Sequence, residues 1–313
     1  MEQILTIAIP TFNHHSELKK QLNVLLPQIT NEVELIIIDN NSTPPITSVL
    51  FEDDINIIKN EENIGGDANI FKCFKICKTK WLWVLSDNDL INNNAVKTIL
   101  TEIKNNNQAI FINFGNVKNI VTKDYSEFFR NANYINSFTI SNCIYNISEL
   151  GISFPIYKAC INTHQAQLLF LIKHLEKYNK NCILSSTNII DNSLLAQWPK
   201  YAFIKDSLNI YRFIKKDNLQ LFRKTLGKQV IRMHLFLLIE AYSIDGLSLK
   251  NYISVFILII KKSKITQFLS KGFVKLLIFY VFFLFFPKLY LSFYAKRKGD
   301  NHNPIADNSN WNC

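Results

Sequence analysis

The stretch Trp81–Ile91, WLWVLSDNDLI, restricts the fold more than any other, because an apolar run stops at Ser86 and gives way to two aspartates around one asparagine. Five consecutive apolar residues, Trp81 to Leu85, have the length and the aromatic or β-branched content of a strand buried on both faces of an α/β sheet. Ligands of such sheets bind beyond the carboxyl ends of the strands, which is where Asp87 and Asp89 fall. Residues two apart point to nearly opposite sides of a helix, whereas in a tight turn two such carboxylates can converge on one hard divalent cation. Asp87-Asn88-Asp89 therefore reads as a metal and phosphate site. Alone, a tripeptide of this kind is more often a polar turn, here one that caps a helix starting at Asn93 or Asn94, so the rest of the half-chain has to decide.

That half-chain repeats one arrangement. Leu5–Ile9 reads as a first strand, followed by Pro10-Thr11-Phe12-Asn13 and a periodic helix from His15 to Leu26. Proline fixes φ, and the loop carries the hydrogen-bonding groups of Thr11 and Asn13 to the end of the strand; their alternative use is to cap the helix. His14 and His15 read as exposed residues of the helix start. A second strand, Val33–Ile38, ends in Asp39-Asn40-Asn41-Ser42, and a third, Ile55–Ile58, leads to Asn63-Ile64-Gly65-Gly66-Asp67-Ala68-Asn69 at the head of another helix. Paired glycines let backbone approach a ligand closely, and a helix start offers free N–H groups. Neither GxGxxG nor GxxxxGK[ST] occurs, so dinucleotide-binding and P-loop readings lose their main support.

Pro10-Thr11-Phe12-Asn13, Asp39-Asn40-Asn41-Ser42, Asn63-x-Gly65-x-x-x-Asn69 and Asp87-Asn88-Asp89, in this order and each at a strand end or helix start, resemble the family 2 glycosyltransferases. The resemblance covers residues 4–105 and implies the GT-A fold, a Rossmann-like, mostly parallel sheet flanked by helices. It further implies that Pro10, Thr11 and Asn13 line a nucleotide pocket, that Asp39, with Asn41 beside it, contacts the base or its ribose, and that Asn63, Gly65 and Asn69 border the nucleotide sugar. In that family the last aspartate of the DxD element, here Asp89, ligates Mg²⁺ or Mn²⁺ on the diphosphate, and the first, here Asp87, approaches the ribose or the donor sugar. Inversion at the anomeric carbon is implied as well.

The chemistry suits these residues. Breaking the bond between a sugar and a nucleoside diphosphate develops negative charge on the leaving phosphate, which a divalent cation stabilises, and the attacking hydroxyl must lose its proton to a base within about 3 Å. The base is expected in an acceptor half, residues 109–215. There a strand pair at Ala109–Phe114 and Val117–Val121, a strand at Phe138–Tyr145, a helix from His164 to Tyr178 and a strand at Cys182–Ile190 are predicted. The family's acidic acceptor-base pair has no obvious counterpart, which leaves His164, Asp191 and Glu149 as candidates. Histidine as a residue type suits proton transfer near neutral pH, and His164 opens a predicted helix, though a single histidine is more often structural. Trp198, before Pro199, either stacks on a sugar or joins the core.

The character of the chain changes near residues 214–218. Lys224, Lys228 and Arg232 line one side of a helical repeat whose apolar stripe is Phe222, Leu226, Val230, Met233 and Leu237, a basic amphipathic pattern. Apolar runs follow at Tyr252–Ile260 and Phe273–Phe286. The second is flanked by Lys261, Lys262, Lys264 and Lys271 on one side and by Lys296, Arg297 and Lys298 on the other. Only eleven residues, Leu276–Phe286, are uninterrupted, short of the about 20 that a spanning helix needs, so interfacial or re-entrant insertion is expected, with one tilted span as the alternative. Residues 216–313 thus read as a helical membrane-associating region whose tail, from residue 299, is polar and disordered.

Lys and Arg exceed Asp and Glu by 35 − 25 = 10, which calls for an anionic partner. Because much of that excess lies beside apolar segments, an anionic membrane surface is expected and nucleic acid is not. Six cysteines without a CxxC, and a first strand directly after Met1 with no signal peptide, point to a reducing cytoplasm; Cys73 and Cys77 share a helix face and suit core packing. The combined expectation is a glycosyltransferase at the cytoplasmic face of a bacterial inner membrane. It would move sugar from a nucleoside-diphosphate sugar to a glycan acceptor, lipid-linked, and the family resemblance implies bacterial surface polysaccharide synthesis, such as O-antigen or capsule assembly, as the setting. Two competitors are a sugar nucleotidyltransferase, disfavoured because Leu5–His14 has no Gly-rich basic loop, and a non-catalytic membrane-associated ligand-binding protein.

Overall fold

The computed structural model of the chain describes residues 2–48, 55–133, 136–137, 139–161, 163–178, 180–193, 200–243 and 246–263. Contacts divide it into two compact units, Met1–Gln197 and Trp198–Cys313.

The first unit is built on an eight-stranded sheet in the order β3-β2-β1-β4-β8-β6-β9-β7. Its strands are β1 Leu5–Thr11, β2 Val33–Asp39, β3 Asn56–Lys59, β4 Trp81–Val84, β6 Phe111–Asn113, β7 Ile120–Thr122, β8 Cys143–Asn146 and β9 Cys182–Leu184. A two-stranded ribbon, β5 Asp89–Ile91 with β10 Ile190–Ser193, lies apart from it. The pairs β1–β2, β1–β4, β2–β3 and β6–β9 are parallel, while β8 runs antiparallel to both β4 and β6, and β7 antiparallel to β9. The central strands are apolar and buried because helices cover them: α1 His15–Leu25 sends Leu18, Leu22 and Leu25 into the same core as Ile7, Ile9, Ile37 and Trp83, and α3 Ala95–Asn105 adds Val96, Ile99 and Ile103. The chain leaves β1 toward β2 and β3 on one side and returns as β4 on the other. Strand order therefore reverses between β1 and β4, where an open α/β sheet leaves a crevice at its carboxyl edge.

The remaining helices of this unit are α2 Gly66–Ile76, α4 Tyr125–Asn131, α5 Ile147–Leu150, α6 Phe154–Cys160 and α7 Ala166–Lys177. An aromatic cluster joins α2 to α6 and α7: Phe71 stacks on Tyr157 with centroids 4.7 Å apart, and Phe74 meets Tyr157 at 5.0 Å and Phe170 at 6.0 Å. Cys73 is buried in the same helix, and burial pushes its thiol well above the ordinary value, consistent with a packing role.

Several expectations for the acceptor half need correction. The strands expected to pair at 109–114 and 117–121 are not neighbours, because β9 lies between β6 and β7. Gly115, at φ +76°, turns the chain so that its N–H and that of Asn116 bond to Thr187 and Ser185 carbonyls beyond β9. The single strand expected over 182–190 breaks at the polar run Ser185–Asn188, and its second part pairs with β5 instead. Only the end of the strand expected over 138–145 joins the sheet; Ile140–Asn142 forms one 3₁₀ turn before β8.

The second unit contains α8 Lys200–Ser207, α9 Ile210–Phe213, α10 Lys216–Lys224, α11 Leu226–Ser243 and α12 Leu249–Ser263. Helix α11 packs against α8, α10 and α12. The contact boundary therefore falls before α8, whereas composition changes only near residues 214–218. Along α12, Leu249, Ile253 and Ile257 are exposed at a spacing of four residues and form one apolar stripe. Among the described residues no helix is long and apolar enough to cross a membrane. The apolar run 273–286, the tail from 299 and Trp198 lie outside the described residues.

Candidate active site

Four loops meet at the carboxyl edge of β1, β2, β3 and β4, and side chains tie them to one another. Asn13, at φ +59°, accepts a hydrogen bond from the Thr43 N–H at its Oδ1 (2.9 Å) and donates its own N–H to Ser42 Oγ (2.9 Å). Asparagine tolerates this left-handed backbone better than most residues, as Asn41 does at φ +68°. Asp39 is fully buried, and its two oxygens accept the N–H groups of Ser42 (2.7 Å) and Ile46 (3.1 Å). Its carboxylate thus builds the loop that carries Asn41. Pro10 and Thr11 close β1; Thr11 is buried, and its Oγ1 has no hydrogen-bond partner among the described residues. A buried hydroxyl without a partner costs roughly 1–3 kcal/mol.

Behind this edge lies a network of amides that the sequence did not announce. Asn40 Nδ2 donates to Asn63 Oδ1 (2.7 Å), while Asn40 Oδ1 accepts from Asn60 Nδ2 (2.8 Å) and the Ile64 N–H (3.0 Å). Asn60 Nδ2 also reaches Asn69 Oδ1 (2.9 Å), and Asn69 Nδ2 donates to the Ile38 carbonyl (3.2 Å). Asn63 Oδ1 takes the N–H of Gly65, whose φ of +85° turns the chain into α2. Asn63 and Asn69 therefore hold the loop in shape, and Gly65 makes its turn.

Beyond β4 the two aspartates are buried together, Asp87 at 6% and Asp89 at 5% exposure. Asp89 Oδ2 accepts a 2.6 Å hydrogen bond from Ser141 Oγ, which itself accepts the Ser86 N–H at 2.9 Å. Desolvation lifts the Asp89 pKa to about 6; the Ser141 hydrogen bond acts against this, and the charge of nearby Asp87 adds to it. Asp87 faces His14, whose Nδ1 lies 3.2 and 3.1 Å from its two oxygens. Hydrogen bonding to Asp87 raises the His14 pKa, with partial burial pulling the other way. His14 is therefore part of the acidic corner and not simply an exposed helix start. Its place directly after Asn13, in the β1 loop, was the available signal. Ser141 had none, because 52 residues separate it from Asp89.

This corner fits a divalent cation. Two buried carboxylates, one of which raises the proton affinity of Asp89, are hard oxygen donors that a cation relieves, although among the described residues no cluster of three or more His, Cys, Asp or Glu side chains encloses one. Substrate oxygens would have to complete the coordination.

The three candidate bases part company. β8 is antiparallel to β4, with Asn146 opposite Trp81, so α5 and its Glu149 lie at the amino end of β4, away from Asp87 and Asp89. Glu149 is paired there with Lys180 at 3.1 Å and is not part of the corner. Asp191 lies at a register shift in β10, where Ser193 is opposite Asp89 and Asn192 opposite Leu90; it is exposed. His164 comes to the head of α2, at the carboxyl edge of the sheet. There its N–H donates to Asp67 Oδ2 (2.9 Å) and its Nδ1 lies 3.8 Å from Asp67 Oδ1.

Residues 6–154 match the sequence model of glycosyl transferase family 2. Over 134 residues the chain is 20% identical to the glycosyltransferase GlyG of Streptococcus pneumoniae serotype 4, an alignment that takes in 41% of this chain and 44% of that protein. Among solved structures, residues 1–349 of S. aureus TarS align over 83% of this chain and 81% of theirs, with a TM-score of 0.55 at 14% identity. The complex of TarS 1–349 with UDP-GlcNAc gives the same TM-score. The mannosyltransferase PcManGT of Pyrobaculum calidifontis, in complex with GDP-Man and Mn²⁺, aligns over 92% of this chain and 87% of its own, with a TM-score of 0.54 at 10% identity. At such identities the structural likeness establishes the fold.

Proposed function

From a chain whose residues 6–154 are a family 2 glycosyltransferase domain, we propose an enzyme that transfers a sugar from a nucleoside-diphosphate sugar to a hydroxyl of a glycan acceptor, with a divalent cation and with inversion. The observation that carries this reading is the pair of buried carboxylates, Asp87 and Asp89, directly after β4 at the strand-order reversal. Fold neighbours that hold UDP-GlcNAc, or GDP-Man with Mn²⁺, support it.

In this reading Thr11, Pro10 and the Asp39–Asn41 loop receive the nucleoside, and the braced Asn63–Asn69 loop borders the sugar. Asp89 and Asp87 hold Mg²⁺ or Mn²⁺, which when bound neutralises charge on the departing diphosphate. Ser141 orients Asp89, and His14 keeps Asp87 directed into the corner. The base is one of two candidates, His164 at the carboxyl edge beside the sugar loop or Asp191 in the ribbon strand paired with the strand of Asp89, whereas Glu149 is at the other end of the sheet. A single base acting on a direct displacement inverts the anomeric centre.

The acceptor is proposed to be lipid-linked and the enzyme to act at the cytoplasmic face of a bacterial inner membrane, in O-antigen or capsule assembly. The stripe Leu249–Ile253–Ile257 and the lysines that follow it in sequence support interfacial binding. The test is a thermal-shift panel of UDP-, GDP-, CMP- and dTDP-sugars with and without Mn²⁺. One nucleotide class should raise the melting temperature only with the cation, since a ligand at 100 times its Kd adds about 2.7 kcal/mol of stability. No shift from any member would refute the reading.

A further inference from the structure

At the far end of the sheet from the acidic corner lies an open cleft of about 230 Å³. β6 runs parallel to β4, because β8 is antiparallel to both, and Ala109 and Asn181, which precede β6 and β9, put the cleft at the amino edge. Its wall is the turn that leaves α3, Asn105-Asn106-Asn107-Gln108, completed by Asn181 from the loop before β9. The remaining lining is apolar: Val121 of β7, 62% exposed, and Ile183 of β9, its register partner.

The amides of this cleft are unengaged. Asn105, Asn107, Gln108 and Asn181 make no side-chain hydrogen bond among the described residues, and Asn106 uses only its Nδ2, which donates to the carbonyl and carboxylate of Glu102 (3.0 and 3.1 Å). The turn does not depend on them. Main-chain bonds hold it to the sheet, from the Ala109 N–H to the Asn106 carbonyl and from the Ile110 N–H to the Asn181 carbonyl. No titratable side chain lines the cleft, and the lysines next to it in sequence are already paired, Lys104 with Glu32 at 2.8 Å and Lys180 with Glu149 at 3.1 Å.

These properties select a class of ligand. An ion would find no counter-charge, a nucleobase would find no aromatic face to stack on, and a purely apolar molecule would strip water from the amides and replace none of its hydrogen bonds. A sugar suits both parts. Each hydroxyl donates and accepts, as each amide does, while the C–H face of the ring can cover Val121 and Ile183. The cleft is smaller than the roughly 300–1,000 Å³ of pockets for drug-sized molecules, which matches a single ring.

We propose that this cleft is a carbohydrate-binding subsite, which holds a neutral sugar unit of the glycan acceptor away from the bond being made. Its use as an acceptor grip rests on the transferase reading, whereas its affinity for sugar does not. A second grip on the same glycan raises the local concentration of acceptor at the candidate site without any contact near the chemistry.

The test is ¹⁵N-edited NMR of the side-chain amides in the full chain, with neither nucleotide nor metal. Glucose, galactose and N-acetylglucosamine are each titrated through the millimolar range, with sorbitol as an acyclic polyol control. The Asn107, Gln108 and Asn181 amides are assigned from the corresponding alanine variants. At least one of the three sugars should shift these resonances along a saturating curve, and sorbitol should not. Asn107→Ala/Gln108→Ala, read at Asn181, should weaken that sugar about tenfold. Val121→Glu, which sets a carboxylate in the apolar part, should weaken it at least as much. Melting temperatures should stay at the wild-type value, since all three positions are exposed. No saturating shift with any of the sugars, an equal response to sorbitol, or undiminished affinity in either variant overturns the proposal. The titrations use no donor, so their failure leaves the transferase reading to the nucleotide panel, and failure of that panel leaves the sugar site standing.

Discussion

Asp89→Asn in the protein freed of divalent cations should stabilise the fold while removing the proposed cation site. Asp89 is 5% exposed, and its pKa is lifted from 3.8 to about 6, chiefly by desolvation. A carboxyl raised in the folded state binds more protons there than in the unfolded chain between these two values, so stability falls as pH rises across that window. Linkage places the penalty of keeping Asp89 ionised at about 2 kcal/mol at pH 5 and about 3 kcal/mol at pH 8. The amide has no charge to desolvate, and its oxygen can still accept the Ser141 hydroxyl. The gain of Asp89→Asn over wild type should therefore be greater at pH 8 than at pH 5 by about 1 kcal/mol. Urea unfolding of both proteins in EDTA, followed by circular dichroism at the two pH values, measures the difference. A gain independent of pH would refute the reasoning, as would destabilisation at pH 8. In Mn²⁺ the order should invert, because only the wild type has a charge for the cation to relieve.

Other consequences are open to direct measurement. Ser141→Ala removes the hydroxyl that orients Asp89 and should weaken Mn²⁺-dependent nucleotide binding about tenfold; calorimetric titration would show it, and unchanged affinity would count against the arrangement. Asn60→Ala removes the buried amide that donates to both Asn40 Oδ1 and Asn69 Oδ1 and should cost about 1–3 kcal/mol in chemical denaturation. His234 is fully buried against Ser207, and burial lowers its pKa to about 3. The unfolded chain therefore takes up a proton that the folded one refuses as pH falls below about 6.5, and this group should subtract about 2 kcal/mol of stability at pH 5, a slope that His234→Gln should flatten. Replacing Leu249, Ile253 and Ile257 together by Ser should reduce co-flotation with phosphatidylglycerol vesicles without lowering the melting temperature, since all three are exposed.

Much of the donor half was legible because it depends on short-range pattern. Buried parallel strands are written as unbroken apolar runs, and β1, β2 and β4 begin within a residue of their expected places and end within one or two. Polar residues directly after such strands must lie at the sheet's edge, which located Thr11, Asp39, Asp87 and Asp89. The acceptor half was less legible. Its strands are only three or four residues long, and their neighbours depend on how Gly115 and the run Ser185–Asn188 redirect the chain.

What the amino-acid order determined alone was therefore the layered α/β unit and the end of its sheet that carries the candidate site, because alternation of apolar strands with polar ends is a local property. Which side chains face each other across that edge was decided only by the tertiary structure. Ser141 reaches Asp89 because β8 runs antiparallel beside β4; Glu149, only eight residues later, is carried to the far end by that same strand. Asp67 meets His164 because aromatic packing joins α2 to α6. Such pairings follow from strand order and helix packing, long-range properties that no spacing along the chain encodes.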